Sequence, residues 1–401
     1  MRRVAITGLG AICALGHNTR EMWEALRSGR SGIAPLQLAQ RSQLRFQNGA
    51  EVRGYEEARH FDPVRAGFID RFAQFALLSA REAITQSGIQ FTPGLSGRTA
   101  VVTGSSLGGK QTEDAQFLEL YGKQGRVHPL TIPKAMANAG ASLICMEFGV
   151  TGPSYTVATA CSSSNHAIGL AFWMVRNGMV EAAIAGGSEA TFSLGTLRAW
   201  EAMRVVSPDT CRPFSRDRKG MILGEGAAML VLEPLEAARA RGAAVLAEVV
   251  GFGMSSDAGH LTNPSVEGPA QAMRSALQDA CIAPESIGYI NAHGTGTPIN
   301  DPVETRAIRQ VFGAHADRLA VSSTKSMHGH ALGAAGALEA VATVMALREA
   351  VLPPTANFTA PDPQCDLDVV PNEAQAAQVE YALSNSFAFG GLNAVLAFRR
   401  G

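Results

Sequence analysis

The alternation of short apolar segments with amphipathic or small-residue segments is the feature that most constrains how this chain can fold. Ten short apolar segments are predicted strands: Arg3–Thr7, Thr99–Thr103, Ser154–Thr159, Ala182–Ala185, Ala228–Leu232, Ala244–Gly251, Ile287–Asn291, Leu319–Ser322, Val379–Ser384 and Asn393–Phe398. Eight segments between them are predicted helices: Thr19–Ser28, Asp70–Ser87, Thr112–Tyr121, Asn165–Arg176, Pro234–Arg241, Pro269–Ala280, Asp301–Val311 and Gly333–Ala350. This alternation predicts an α/β protein whose sheets are covered by helices.

The length and low charge of the chain indicate a large fold in two parts. The chain has 401 residues, of which 46% are hydrophobic and only 17% are charged. Such scarce charge indicates large buried layers or a large interface between subunits. A new predicted strand follows the helical segment Pro234–Gly242, so we expect an N-terminal half over residues 1–246 and a C-terminal half over 247–401. No repeat of about 20–50 residues is visible, which excludes solenoids and propellers.

Charge, hydropathy and cysteine content exclude several classes of protein. A net charge of −1 argues against a general nucleic-acid binder, because such domains carry a basic excess. No window reaches about 18 uninterrupted apolar residues, so no membrane span is predicted. The six cysteines are scattered without a CxxC pair, which fits neither a disulfide framework nor a zinc ribbon. We therefore expect a cytoplasmic protein.

Two glycine motifs follow predicted strands. Gly8-Leu9-Gly10 lacks the third glycine of a dinucleotide-binding loop, because Cys13 stands in its place, and we predict a structural turn. Gly104-Ser105-Ser106-Leu107-Gly108 matches the nucleophile elbow of hydrolases, although a glycine-rich chain produces this short pattern by chance. A serine hydrolase that uses Ser106 is therefore kept as an alternative function.

The segment Ser154–Ser164 carries the sharpest chemical signal. A predicted strand runs into Cys161, and hydroxyl residues then precede a helix that begins near Asn165 or His166. A thiol at a helix N-terminus faces unpaired N–H groups and the positive end of the helix dipole, which favour the thiolate. Because the thiolate is the nucleophile, this placement suits covalent catalysis. The alternative is a buried structural cysteine, which describes the other five cysteines adequately.

Two later strands end at histidines. His293 lies at the end of one predicted strand, beside a loop rich in glycine and hydroxyl residues, and the next strand is followed by Lys325 and His330. Together with Cys161, these strand-end histidines form a candidate catalytic constellation. A metal site is the competing use of His293, Cys161 and the pair His328 and His330. No carboxylate pair or further ligand stands nearby in the sequence, so no metal is predicted.

The segment Asn385–Asn393 joins the last two predicted strands and contains two phenylalanines and two glycines. Glycines let the backbone approach a ligand, and aromatic side chains can form a movable wall. Considered alone, the segment would be only a tight connection between strands.

In combination, these motifs resemble the β-ketoacyl-acyl-carrier-protein synthases, most closely synthase II of fatty-acid elongation. The resemblance runs nearly from end to end. It is carried, in this order, by Thr159–Ser163, Asn291–Thr297, Ser323–Ser326, Gly329-His330, Gly333–Gly336 and Asn385–Phe387. Each piece alone is modest, but their order and combination are specific.

The resemblance implies a thiolase-like α/β fold, with two similar βαβαβαββ halves in five αβαβα layers, working as a homodimer. It implies that Cys161 accepts the acyl group and that His293 and His330 act on the malonyl thioester. Lys325 matches the active-site lysine of the family, and Glu339 matches its carboxylate partner.

The resemblance also implies how substrates are bound. The backbone amides of Cys161 and Phe389 would form the oxyanion hole, and the Phe389 side chain would gate malonyl entry. In the family, the segment at Thr131 reaches the acyl tunnel of the neighbouring subunit. The residues expected along the substrate path are Leu107, Thr131, Thr295, Thr297 and Phe387. An acidic acyl carrier protein would dock on a basic patch of Arg65, Arg71 and Arg204.

The implied reaction is the decarboxylative Claisen condensation of acyl-carrier, through acyl-Cys161, with malonyl-carrier in fatty-acid elongation. It requires no metal or redox cofactor, since the substrates arrive on the phosphopantetheine of the carrier. A non-catalytic partner subunit, as in some polyketide systems, normally lacks the active cysteine. The presence of Cys161, His293 and His330 argues against that class.

Several positions depart from the usual pattern of the family. Pro213–Met221 lacks an aspartate after Pro-Phe and the usual Arg-Asp-Gly-Phe, and Ala388 and Leu392 replace a usual glycine and threonine. His328 stands where threonine is common, and no role is assigned to it. Other positions resemble the nodulation-type synthases that build unusual acyl chains: Ala199–Arg204, Ser215 and Lys219. A ketosynthase of a specialised or polyketide-like pathway is therefore the alternative.

Overall fold

A ten-stranded mixed sheet is the centre of the computed structural model, which describes all residues from 1 to 401. Its strands are β1 (Val4–Cys13), β2 (Thr99–Gly104), β3 (Ser154–Val157), β4 (Ala182–Glu189), β5 (Gly226–Pro234), β6 (Ala247–Ser256), β7 (Ile287–Asn291), β8 (Ala320–Ser322), β9 (Tyr381–Ala388) and β10 (Leu392–Arg400). All ten predicted strands are present in this sheet. Two small ladders pair Ala34–Pro35 with Asn48–Gly49 and Val351–Leu352 with Gln375–Ala376.

The sheet consists of two halves with the same strand order. The first half runs β1-β5-β4-β2-β3, and the second repeats it as β6-β10-β9-β7-β8. In each half, the last strand along the chain runs opposite in direction to the other four strands, which share one direction. The halves meet where β1 pairs antiparallel with β6. We propose to divide the chain at residue 247, where β6 begins.

Ten α-helices of six or more residues surround the sheet. They are α1 (Thr19–Arg27), α2 (Arg71–Ser87), α3 (Lys110–Phe117), α4 (Ala139–Phe148), α5 (Ser163–Arg176), α6 (Leu194–Ala202), α7 (Leu235–Ala240), α8 (Glu267–Ala280), α9 (Asn300–Phe312) and α10 (Ala335–Glu349). Shorter α-helical turns span Pro63–Ala66, Pro93–Ser96, Thr131–Ala135 and Lys325–His328. The eight predicted helices are all present, and α4 and α6 are additional.

The helices and sheet halves form five layers. α5 and α10 contact each other and strands of both halves, so they form the middle layer. α2 and α4 cover the outer face of the first half, and α8 and α9 cover that of the second. The small side chains at the start of α10 allow its close approach to α5. This arrangement agrees with the expected αβαβα layers.

The packing of α2 on β1 corrects one prediction. Asp70 caps α2 by accepting the N–H of Phe72, and the helix then packs on β1. Gly8-Leu9-Gly10 lies inside β1 and is not a turn. A Cβ at Gly8 or Gly10 would overlap a carbonyl oxygen of α2. These glycines therefore allow the helix and the strand to pack closely.

No helix of the structure combines the length and the apolar character that crossing a bilayer requires.

Candidate active site

Segments that follow four different strands bring the predicted catalytic residues together. Cys161 follows β3, His293 follows β7, Lys325 and His330 follow β8, and Phe389 follows β9. All of them except Lys325 line one cavity of about 330 Å³, and its walls also include the predicted residues Thr295, Thr297 and Phe387.

Cys161 is held in a tight turn directly before α5. The turn is a 3-10 helix over Ala160–Ser162, and Ala160 has a φ of 49°, which alanine rarely adopts. The Ser163 hydroxyl accepts a hydrogen bond from the N–H of Thr159 at 2.9 Å and donates to the carbonyl of Ala160 at 2.6 Å. These bonds hold the strained backbone that presents the thiol to the cavity.

The protonation state of Cys161 differs from the prediction. Burial raises the pKa of the Cys161 thiol to about 11, and the charge of Glu189 adds to the rise. Lys325 and hydrogen bonds from the backbone N–H groups of Phe389 and Cys161 act in the opposite direction. The backbone N–H groups thus favour the thiolate in the predicted direction, but loss of hydration outweighs them and the neutral thiol is the favoured form. The two N–H groups nevertheless converge at the sulfur.

His293 and His330 face one another across the cavity. Their ring centroids are 5.5 Å apart, and the ring planes stand at 85°. Burial lowers the pKa of both imidazoles well below the usual value, and the nearby Lys325 charge lowers it further. Both rings are therefore neutral near pH 7, and each can donate one N–H. Two such donors beside a nucleophile suit a developing enolate or oxyanion.

Lys325 is fully buried beneath this pair. Its Nζ donates to the carbonyl oxygen of His293 at 2.5 Å and to Oε1 of Glu339 on α10. Burial raises the pKa of Glu339 to about 7, although the Lys325 charge opposes the rise. Lys325 thus fixes the His293 backbone, and its positive charge adds to the effect of burial in keeping both imidazoles neutral.

Two carboxylates that the sequence analysis missed hold the loop after His293. Glu304 accepts hydrogen bonds from the N–H groups of His293 and Gly294 at 2.8 and 2.7 Å. Asp301 accepts one from the N–H of Gly296 at 3.2 Å. Both carboxylates are fully buried and lie one turn apart in α9. The sequence signal that could have identified these two residues is an acidic pair at helical spacing directly after a glycine-rich loop.

Ser106 is engaged in structural contacts. Its hydroxyl donates to the buried carboxylate of Glu189 and accepts a hydrogen bond from the N–H of Gly333 at 3.0 Å. Glu189 also accepts from the N–H of Leu107 at 3.3 Å. No histidine is hydrogen-bonded to Ser106, so it lacks the base that activates a serine nucleophile. These contacts argue against the hydrolase alternative, and Glu189 is a further residue that the sequence analysis missed.

The loop that carries Phe389 is shorter than predicted. Residues 385–388 belong to β9 and pair with β10, so only Phe389-Gly390-Gly391 connects the two strands. Phe389 stacks on Trp200 of α6 with ring centroids 6.3 Å apart. The N–H of Gly390 donates to the carbonyl of Leu261 at 2.7 Å. Trp200 and Leu261 also line the cavity, although no sequence pattern predicted either residue there.

The three arginines predicted to bind a carrier lie in different environments. Arg204 is exposed at the mouth of the cavity. Arg65 pairs with Glu147 in a separate groove. Arg71 forms an ion pair with the buried Glu225 at 2.7 Å and lies against two aromatic rings. Its guanidinium stabilises the fold, so the structure contradicts a docking role for Arg71.

Two predicted substrate residues lie outside the main cavity. Leu107 packs against the apolar cluster that contains Cys161 and lines a neighbouring groove. Thr131 is buried, and its hydroxyl donates to the carbonyl of His128 at 2.6 Å. A contact of Thr131 with a neighbouring subunit stays a prediction. No group of three or more His, Cys, Asp or Glu side chains in the structure is arranged to hold a metal ion.

Comparison with known families settles the class of this site. Residues 1–238 match the family described as Beta-ketoacyl synthase, N-terminal domain, and residues 246–359 match Beta-ketoacyl synthase, C-terminal domain. The chain belongs to the β-ketoacyl synthase family. It is an acyltransferase-type ketosynthase with the thiolase-like fold of that family.

Similar proteins match the synthase along its whole length. Nodulation protein E of Rhizobium sp. (strain N33) is 48% identical over 401 residues, covering 100% of this chain and 99% of that protein. The 3-oxoacyl-[acyl-carrier-protein] synthase 2 of Synechocystis sp. (strain ATCC 27184 / PCC 6803 / Kazusa) is 42% identical over 408 residues, covering 100% and 98%. These two names agree with a synthase II that has nodulation-type features.

A solved structure shows the same fold in a complex. It is described as AntDE:AntF (apo), a type II PKS acyl-carrier protein in complex with its ketosynthase bound to the hexaketide. Its ketosynthase fold superposes with a TM-score of 0.90 at 30% identity, covering 100% of both chains.

Proposed function

We propose that this synthase is a 3-oxoacyl-[acyl-carrier-protein] synthase that condenses acyl-carrier with malonyl-carrier in fatty-acid elongation. The observation that carries the proposal is one cavity in which a thiol faces two neutral imidazoles. Cys161 supplies the nucleophile, and His293 and His330 supply two N–H donors. Lys325 and Glu339 hold this arrangement from beneath.

The first half-reaction transfers the acyl group to the enzyme. The Cys161 thiol loses its proton as its sulfur attacks the thioester carbonyl, and the phosphopantetheine sulfur leaves and takes up a proton. The transient oxyanion accepts hydrogen bonds from the backbone N–H groups of Cys161 and Phe389, which converge at the sulfur. Because the thiol pKa is about 11, loss of this proton belongs to the chemical step.

The second half-reaction breaks the bond between the malonyl carboxylate and its α-carbon. Carbon dioxide leaves, and the electron pair forms an enolate whose oxygen accepts hydrogen bonds from His293 and His330. Each such preorganised donor contributes about 3–4 kcal/mol in comparable sites. The α-carbon then attacks the acyl carbonyl, and the Cys161 sulfur leaves as a thiolate that regains a proton. The product is a 3-oxoacyl chain on the carrier.

An acyl carrier protein is the proposed partner, and its phosphopantetheine delivers both substrates. Arg204 lies at the cavity mouth, where it would meet an acidic carrier. Arg65 lies in a separate groove and is paired with Glu147, so it is not proposed to bind the carrier. We also propose a homodimer, which an apolar groove of about 780 Å³ lined by Phe68, Met136 and Met146 supports. Thr131 would then reach the acyl tunnel of the neighbouring subunit.

The location that we propose is the cytoplasm, which the six free cysteines support.

A second candidate function is condensation in a specialised acyl or polyketide-like pathway. Its support is the 48% identity to a nodulation protein, which exceeds the 42% identity to a synthase 2. The test is to incubate the synthase with malonyl-carrier and a series of acyl-carriers and to identify products by mass spectrometry. One added two-carbon unit on saturated chains supports elongation of fatty acids. Products only from unusual or polyketide chains support the second candidate, and absence of any condensation product overturns both.

A further inference from the structure

His328 is a buried histidine near the site that the proposed mechanism does not use. It is fully buried at the end of the short helix Lys325–His328. Its Nε2 lies 2.9 Å from the hydroxyl oxygen of Thr324, and its Nδ1 lies 2.8 Å from the carbonyl oxygen of Gly329. The ring therefore bridges the two ends of the segment that carries Lys325.

The chemistry of the partners fixes the direction of these bonds. The carbonyl of Gly329 can only accept, so the proton of the ring resides on Nδ1. The lone pair of Nε2 then accepts from the Thr324 hydroxyl. The oxygen of Thr324 in turn accepts a longer contact of 3.5 Å from Nδ2 of Asn291. Burial lowers the pKa of His328 to about 3, which agrees with a neutral ring holding one proton.

This chain of hydrogen bonds joins the two strand ends that carry the reactive histidines. Asn291 is the last residue of β7, two positions before His293. Gly329 immediately precedes His330. The hydrogen bonds through Asn291, Thr324, His328 and Gly329 therefore link the backbone beside one reactive histidine to the backbone beside the other.

The backbone of His330 has its other attachments in the N-terminal half. Its N–H donates to the carbonyl of Ile222 at 2.7 Å, and its carbonyl accepts from the N–H of Gly224 at 2.9 Å. Lys325 and Ser323 also tie the start of this turn to the loop that carries His293, but at the end of the turn the His328 side chain makes the link. Loss of this link would leave Gly329 and His330 less firmly held. The separation of the two imidazoles would then vary with small movements between the halves.

We propose that His328 is a positioning residue, which acts through Thr324 and Gly329 to set the separation of His293 and His330. The inference rests on the proposed function, since the two imidazoles matter as paired donors to the enolate. A threonine, which the resemblance leads one to expect at this position, is too short to bridge both partners. The bridge is therefore a feature of this chain's own sequence.

The test compares two half-reactions in Thr324→Val, His328→Phe and His328→Asn. Thr324→Val and His328→Phe keep the shape of the side chain and break the bridge, whereas His328→Asn keeps an N–H near the position of Nδ1. We expect kcat for malonyl-carrier decarboxylation to fall about 10- to 100-fold in the first two variants, since misplacement of reacting groups by about 1 Å has effects of this size. KM and Cys161 acylation by acyl-carrier should stay unchanged, and His328→Asn should recover part of kcat.

Thr99→Val is the matched control, because Thr99 is a buried threonine whose hydroxyl donates to the carbonyl of Leu95 far from the site. It should lose stability like Thr324→Val while decarboxylation stays normal. The inference is overturned if folded Thr324→Val decarboxylates like Thr99→Val, or if both half-reactions fall together. A wild-type protein without decarboxylation activity would instead overturn the proposed function.

Discussion

The Nζ of Lys325 lies 2.5 Å from the carbonyl oxygen of His293, so a fully buried ammonium group holds the backbone of a residue in the reactive pair. The same charge lowers the pKa of the imidazoles of His293 and His330. Glu339 contacts the ammonium group from the opposite side. One buried ion pair thus helps to hold the position of His293 and adds to the burial that keeps both donors neutral.

Removing this pair should change the pH dependence of decarboxylation. In the double variant Lys325→Met with Glu339→Gln, the pKa of both imidazoles should rise, because a cation that disfavours their protonation is gone. As the pH falls, activity of the variant should therefore begin to decline at a higher pH than that of the wild type. The measurement is the rate of CO₂ release from malonyl-carrier between pH 5.5 and pH 8. Parallel profiles for both proteins would contradict a role of Lys325 in keeping the imidazoles neutral.

The raised pKa of Cys161 should be visible in its reactivity. Since burial raises this pKa to about 11, alkylation of Cys161 by iodoacetamide should keep increasing from pH 8 to pH 10. Glu189→Gln should shift the profile to lower pH, because the charge of Glu189 raises the thiol pKa. Peptide mass spectrometry separates Cys161 from the exposed Cys281, which serves as the internal control. A Cys161 profile that levels off near pH 8.5, like that of an ordinary exposed thiol, contradicts this expectation.

The strands, the nucleophile and the histidine pair could be predicted because their sequence signals are local. Apolar runs bounded by glycine and hydroxyl residues predicted every strand of the sheet, and strand ends predicted Cys161, His293 and His330. The protonation of Cys161 could not be predicted this way, because burial depends on neighbours distant in sequence. Arg71 was misassigned for the same reason, since its partner Glu225 is 154 residues away.

The residues in and around the cavity show another limit of sequence reasoning. Trp200 belongs to a helix that was not predicted, and its stacking on Phe389 depends on how the two halves meet. Glu304 and Asp301 lie in a predicted helix, but their function depends on the path of the preceding loop. Tertiary contacts, which no local pattern specifies, decide all three.

A single exposed arginine should contribute to carrier docking. Arg204→Glu should raise KM for acyl-carrier severalfold and weaken its dependence on salt, because attraction to an acidic partner becomes repulsion. The value of kcat at saturation should change little. Arg239→Glu is the matched control, since Arg239 is exposed on α7 and does not line the cavity. Equal KM values for the two variants at low salt would remove Arg204 from the docking surface.

The nucleophile and the donor pair should be separable by mutation. Cys161→Ala should abolish acyl-enzyme formation and condensation, while some decarboxylation of malonyl-carrier persists because His293 and His330 remain. His330→Ala should lower decarboxylation about 10²–10³-fold, as expected for loss of one preorganised donor. Cys161 should still be acylated in that variant, because the backbone N–H groups of Cys161 and Phe389 still converge at the sulfur.

Two assays in parallel check this separation: labelled CO₂ release and the mass of the intact protein after exposure to acyl-carrier. His328→Phe should fall between wild type and His330→Ala in CO₂ release, because it displaces a donor without removing it. Its acylation should match that of the wild type. If Cys161→Ala and His330→Ala lose both activities to the same extent, the two residues act as one unit and the proposed division between them is wrong. A larger loss of decarboxylation in His328→Phe than in His330→Ala would also contradict it, since a positioning residue cannot exceed the donor that it positions.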